Sequence, residues 1–170
     1  MSTSGPLVRR AAGVATALSV LGCAADIDTP PLGEFHAKAE PFIAMAGDFE
    51  GFEGWRHVDL PDAVSGHAAV QRRTWLNVPA HKAHSWPIGT IAVKTGDQSN
   101  RWLALVKRGG GYNSDGLKGW EFFELTRNTL GEMVIYWRGV GPPAGEEYGA
   151  AGQTCNTCHG LAASDGLFSW

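Results

Sequence analysis

Trp102-Leu103-Ala104-Leu105-Val106-Lys107-Arg108, then Gly109-Gly110-Gly111-Tyr112-Asn113, then Trp120-Glu121-Phe122-Phe123-Glu124-Leu125-Thr126 are the segments on which the fold turns. The first and third are short runs rich in β-branched and aromatic residues, and the glycine-rich piece between them has turn composition. Trp102, Ala104 and Val106 alternate with Leu103, Leu105 and Lys107, so the strand is apolar on nearly both faces and must be covered by a helix or a partner subunit. The connections on either side, including Thr126-Arg127-Asn128-Thr129, are too short for a crossover helix, which makes the pairing antiparallel.

Working outward, Met133 to Arg138 follows as another strand, and Thr90 to Val93 and Val70 to Val78 precede, giving five in all. Further upstream Phe35, Ala39, Phe42, Ile43 and Ala46 fall on one face of a helix that Pro41 kinks or splits and Gly47-Asp48 ends. The expected fold class is α+β: mainly an antiparallel β-sheet of about five strands, an N-terminal helix, and a short C-terminal helix carrying the motif described below.

The 170 residues are 44% hydrophobic and 18% charged, which suits one globular domain. With 7 tryptophans and a net charge of −3, the chain has neither the composition of a disordered segment nor a cationic surface for a phosphate backbone, so nucleic acid is excluded as a partner. The 3 cysteines are too few for a disulfide framework, and their odd number asks for separate roles.

The N-terminus supplies one of those roles. Arg9-Arg10 precedes an uncharged apolar stretch, Ala11 to Gly22, too short to span a membrane and followed by Cys23, which is a signal-peptide pattern. Val20-Leu21-Gly22-Cys23 looks like a bacterial lipobox, which makes 1–22 the signal peptide, Cys23 the lipidation site and 23–33 a proline-stiffened tether. The alternative is plain cleavage after Ala24 or Ala25. Both readings export the protein, to the periplasm or to a membrane through lipid on Cys23, and leave 34–170 as a single domain.

Cys155-Asn156-Thr157-Cys158-His159 is a CxxCH motif, the signature of covalent c-type haem. Two thiols three residues apart on one helical turn can each reach a vinyl group of the same porphyrin, and the adjoining imidazole is placed to ligate the iron. Cys155, Cys158 and His159 are therefore the expected haem c attachment site, one haem per chain, with His159 the metal ligand. A zinc site would call for further Cys/His ligands, and a redox dithiol for a βαβ setting. No Met, Lys or His lies among residues 160–170, so a sixth ligand would come from Met45 or Met133, or from His57, His67, His81 or His84. An open distal site is the expectation. Phe52, Trp75, Trp86, Phe122 and Phe123 are candidates to line or cap a haem face.

With that motif the chain resembles the cytochrome P-460 and cytochrome c′-beta family of small exported β-rich haem proteins. The matching stretches are Trp55-Arg56, Asn77 through His81-Lys82-Ala83, Trp86-Pro87-Ile88-Gly89-Thr90-Ile91-Ala92-Val93-Lys94, Gly111-Tyr112-Asn113, Gly119-Trp120-Glu121-Phe122-Phe123 and Cys155 to His159. The resemblance implies an antiparallel sheet over the haem, a homodimer, and a distal face open to a small nitrogen-oxide substrate or ligand, served by a redox partner that the chain does not encode.

Two branches of that family differ in chemistry. In the P-460 branch a lysine is bonded to the porphyrin edge and the protein is a hydroxylamine-oxidising haem oxidoreductase. In the c′-beta branch that link is absent and the protein binds nitric oxide or related gases without turnover. The resemblance points to Lys82 for the cross-link, with Lys94 the alternative, to Arg56 as a distal cation, and to Glu146, beside Glu147, as a carboxylate taking up protons. Solvated charges are the plainer account of each. A third reading, a six-coordinate electron carrier, needs Met45, Met133 or a histidine on the iron.

Overall fold

Six strands form one meander in the order β1-β2-β3-β4-β5-β6, every neighbouring pair antiparallel. They are β1 (Arg56–Leu60), β2 (Arg72–Leu76), β3 (Ile91–Thr95), β4 (Arg101–Lys107), β5 (Trp120–Arg127) and β6 (Met133–Gly139). A single short helix, α1 (Cys155–His159), follows. The computed structural model describes residues 37–60, 72–79, 85–96, 100–142, 154–162 and 165–167. The signal peptide, Cys23 and the 23–33 tether lie outside the described residues.

The sheet has six strands, not five. The additional one, β1, is a short edge strand in which His57 and Asp59 are exposed and the alternating Val58 and Leu60 are only half-buried. Its pairing rests on the backbone register with β2 and on the Asp59 carboxylate, which accepts from Arg73 Nε at 2.6 Å. A strand that buries so little leaves little hydrophobic pattern to read.

The expected N-terminal helix is also corrected over its described part. Residues 37–45 form no helix, and only two 3-10 turns follow, Ala46–Phe49 and Phe52–Gly54. The Lys38 N–H donates to the Ile88 carbonyl at 3.0 Å and the Phe42 N–H to the Arg108 carbonyl at 2.9 Å, while Pro41 has no N–H to give. The backbone donors a helix would need are thus spent on neighbouring loops. Of that pattern Phe42 packs against the sheet's core, Ala46 is half-buried, and Ile43 is 48% exposed.

Because side chains alternate along a strand, the sheet carries two apolar faces. On one, Trp75, Val93, Val106, Phe123 and Leu125 pack under Ala44, Phe49 and Phe52 from the 3-10 segment. On the other, Leu76, Ala92, Leu105, Trp120 and Phe122 pack against Trp86, Leu117, Leu167 and the first residue of α1, Cys155. Both faces of β4 are therefore covered within the chain. Phe49, Phe52 and Trp120 are fully buried, and each such side chain stabilises the fold by roughly 2–3 kcal/mol.

Between β4 and β5 three successive glycines, Gly109, Gly110 and Gly111, have φ of 72°, 62° and 72°. That run of left-handed residues is open only to glycine, and it turns the chain so that Tyr112 and Gly119 pair, with N–H to carbonyl at 2.7 Å. A carboxylate anchors the adjoining corner. Glu121, 2% exposed, accepts from Arg138 Nε and Nη2, both at 2.8 Å, and from Arg108 Nη1 at 3.1 Å.

Candidate haem-attachment site

Thr154 caps α1: its hydroxyl accepts from the Thr157 N–H at 3.2 Å, so the helix starts at Cys155. Cys155, Cys158 and His159 then lie on a single turn and a half, and the cysteines form no disulfide. Burial pushes the Cys155 thiol up to about 11.

Two anchors place α1 on the sheet. Asn156 Oδ1 accepts from Asn113 Nδ2 at 2.7 Å and from the Leu117 N–H at 2.9 Å, and Asn156 Nδ2 donates to the Val140 carbonyl at 2.8 Å. Beyond the helix, His159 Nδ1 donates to the Gly166 carbonyl at 2.7 Å. That bond fixes the tautomer and leaves Nε2 as the nitrogen that would ligate iron. The His159 ring sits 5.7 Å from the Phe122 ring, and its pKa is lowered first by burial and then by the nearby Lys94 charge, against the Gly166 bond.

The strand register sets what shares this face. One row across the sheet runs Arg56, Leu76, Ala92, Leu105 and Phe122, and the next runs Val58, Thr74, Lys94, Leu103, Glu124 and Trp137. Leu105, Phe122 and Trp137 supply apolar area, while Lys94, Arg72 and Glu124 bring buried charge. Desolvation, reinforced by the Arg72 guanidinium, lowers Lys94 to about 8. Glu124, 2% exposed, is paired with Arg101 at 2.9 Å.

Of the residues singled out from the sequence, Cys155, Cys158, His159 and Lys94 are brought to one face, and Arg56 lies on an exposed edge position of the same face. Lys82, Glu146, Glu147, His67, His81 and His84 lie outside the described residues. Met133 is buried on the opposite face, where its N–H donates to Glu50 Oε1 at 2.5 Å, and His57 stacks at 4.4 Å on Trp75, also on that face. Met45 is 63% exposed beside the 3-10 turn that covers the opposite face. Of the five aromatic candidates, Phe52, Trp75 and Phe123 belong to the opposite core, whereas Phe122 and Trp86 belong to this one.

Sequence reading missed Glu124, Arg72, Asn113 and Asp165. Charges inside strands read as the polar side of an alternation, and only the burial of both sheet faces makes them internal. Asp165-Gly166 does carry a turn signature, and both residues have positive φ, 44° and 90°.

Among the described residues no group of three His, Cys, Asp or Glu side chains could hold a metal ion, and no helix is long and apolar enough to cross a membrane. Comparison with known protein families, with curated proteins and with solved structures finds no match to this chain.

Proposed function

We propose that this chain is an exported monohaem c-type cytochrome, with haem c joined to Cys155 and Cys158 and ligated by His159, that carries out redox chemistry on hydroxylamine or nitric oxide. The observation that carries the reading is the placement of a CxxCH helix on an apolar sheet face with His159 Nδ1 already hydrogen-bonded to a backbone carbonyl. These residues fit the group: two thiols on one turn, an oriented imidazole, and the half-buried Trp137 beside the buried Phe122 and Leu105 as apolar surroundings. When bound, the haem supplies an iron centre that exchanges electrons with a small nitrogen species.

The chain's own part is orientation and proton handling. Met133 and His57 lie across the sheet from His159, which speaks against either of these two as a sixth ligand. Oxidation of hydroxylamine releases protons as well as electrons, and Glu124 is a buried carboxylate on the His159 face that would accept them. On that face burial and the Arg72 charge disfavour the protonated form of the Lys94 amine, which supports it for the porphyrin link of the P-460 branch. Lipid on Cys23, a periplasmic location and a homodimer belong to the same proposal.

The second reading, a gas binder of the c′-beta kind, is favoured by the apolar, aromatic character of the face around Phe122 and Trp137. The two separate on turnover. Under the leading reading the purified holoprotein oxidises hydroxylamine in the presence of an artificial electron acceptor, and Lys94→Met abolishes this while haem stays attached. Nitric oxide binding with no acceptor reduction would select the gas-binding reading. Cys155→Ala with Cys158→Ala leaves any haem extractable by acid-acetone, and haem retained covalently in that double variant would refute the attachment site.

A further inference from the structure

Among the described residues that follow α1, Asp165 makes polar ties from the segment closing back on His159 to the sheet. The Asp165 carboxylate accepts from Lys107 Nζ at 2.9 Å and 2.8 Å on its two oxygens, from Trp120 Nε1 at 3.1 Å, and from the Trp86 N–H at 3.0 Å. Those donors belong to the end of β4, the start of β5 and the segment before β3. Lys107 is itself held by the Lys118 carbonyl at 3.1 Å and by the Trp120 ring face at 5.1 Å.

Asp165 has φ 44°, a left-handed conformation that costs a non-glycine residue roughly 1 kcal/mol, and its side-chain bonds hold it there. Gly166 follows at φ 90°, where a Cβ would come within 2.6 Å of Leu117 Cδ2. The carbonyl of this same Gly166 accepts from His159 Nδ1 at 2.7 Å.

We propose that Asp165, locked by Lys107 and Trp120, is a positioning residue that fixes the Gly166 carbonyl on His159 Nδ1 and so sets the donor strength of Nε2 toward iron. The inference rests on the haem reading above and assigns a control of that same site. A carbonyl held on the Nδ1–H makes the imidazole a stronger donor, which favours ferric over ferrous iron and lowers the reduction potential. Loosening Asp165 lets that bond lengthen, and the potential rises.

The experiment is spectroelectrochemical titration of the wild-type, Asp165→Asn and Lys107→Met holoproteins, with the iron–histidine stretch of the ferrous form recorded by resonance Raman. Bare charge effects differ in sign between the variants: removing the aspartate charge raises a nearby potential, and removing the lysine charge lowers it. Positioning predicts that both variants raise it, by up to a tenfold change in the ferrous-to-ferric balance, or about 59 mV for one electron, and that both lower the stretching frequency.

A lowered or unchanged potential in Lys107→Met overturns the proposal, whatever Asp165→Asn does. Should Asp165→Asn fail to take up haem, the sign in Lys107→Met still decides. Absence of covalent haem from the wild type would instead refute the haem reading, and the inference with it.

Discussion

Asn156, between the two cysteines of α1, accepts on its Oδ1 from Nδ2 of Asn113 in the β4–β5 loop at 2.7 Å. The same amide also satisfies the Leu117 N–H and the Val140 carbonyl, so one residue keys the helix into the sheet at three places. Asn156→Ala strips partners from half-buried groups and is expected to cost about 1–3 kcal/mol in urea unfolding. Gly116→Ala should do comparable damage, because a Cβ there overlaps the Asn156 amide. An unchanged unfolding midpoint in both variants would mean that α1 does not dock through Asn156.

Lys94 gives a pH signature with a definite sign. In the folded chain burial and the Arg72 charge lower it from 10.5 to about 8, so the charged ammonium is disfavoured relative to the unfolded state. Charging it therefore costs stability at every pH below about 8, roughly 3 kcal/mol at most, given that one pKa unit is about 1.4 kcal/mol. The cost fades as pH rises from about 8 towards 10.5, where the unfolded chain keeps a proton that the folded chain has released. In haem-free protein, Lys94→Met should be the more stable form at pH 7, with the gap to wild type shrinking over that window. A gap independent of pH would contradict the burial of this amine.

Glu121 is the other buried charge whose loss should be felt. It accepts from two guanidiniums, and Arg138 also donates to the Ala44 carbonyl at 2.9 Å, tying the 3-10 segment to β5 and β6. Glu121→Gln leaves both arginines under-compensated and is expected to destabilise by about 3 kcal/mol, at the low end for a broken buried pair because Arg138 is partly exposed. Asp59→Asn, which weakens an exposed pair with Arg73, should shift stability by less than about 1 kcal/mol. Equal effects in chemical denaturation would refute the distinction.

Much of the sheet was legible because β4 and β5 combine dense β-branched and aromatic composition with glycine-rich turns, and the observed β2 to β6 overlap the five expected strands. What escaped was whatever buries little or depends on tertiary contact. The edge strand β1 is short and fully buries none of its residues, and residues 37–45 have helical spacing but spend N–H groups on distant carbonyls. At the site, the grouping of Cys155, Cys158 and His159 on one short helix could be read directly, since their spacing alone sets it. Lys94 could be nominated only as one of two lysines, because which face of β3 it occupies depends on the register with Thr74 and Leu103. Glu124 and Asp165 carried no sequence signal of burial, as their partners come from strands and loops far away in the chain.

The most direct test of the central claim is the intact mass of the chain, together with its ferric and ferrous optical spectra, after expression in a host that attaches c-type haem. The account predicts a gain of one haem per chain that survives acid-acetone extraction and is lost when Cys155 and Cys158 are both replaced by alanine. A strongly red-shifted ferrous Soret band would add the lysine-modified porphyrin of the P-460 branch. A chain that leaves that host at its unmodified polypeptide mass, with no Soret band, would contradict the account.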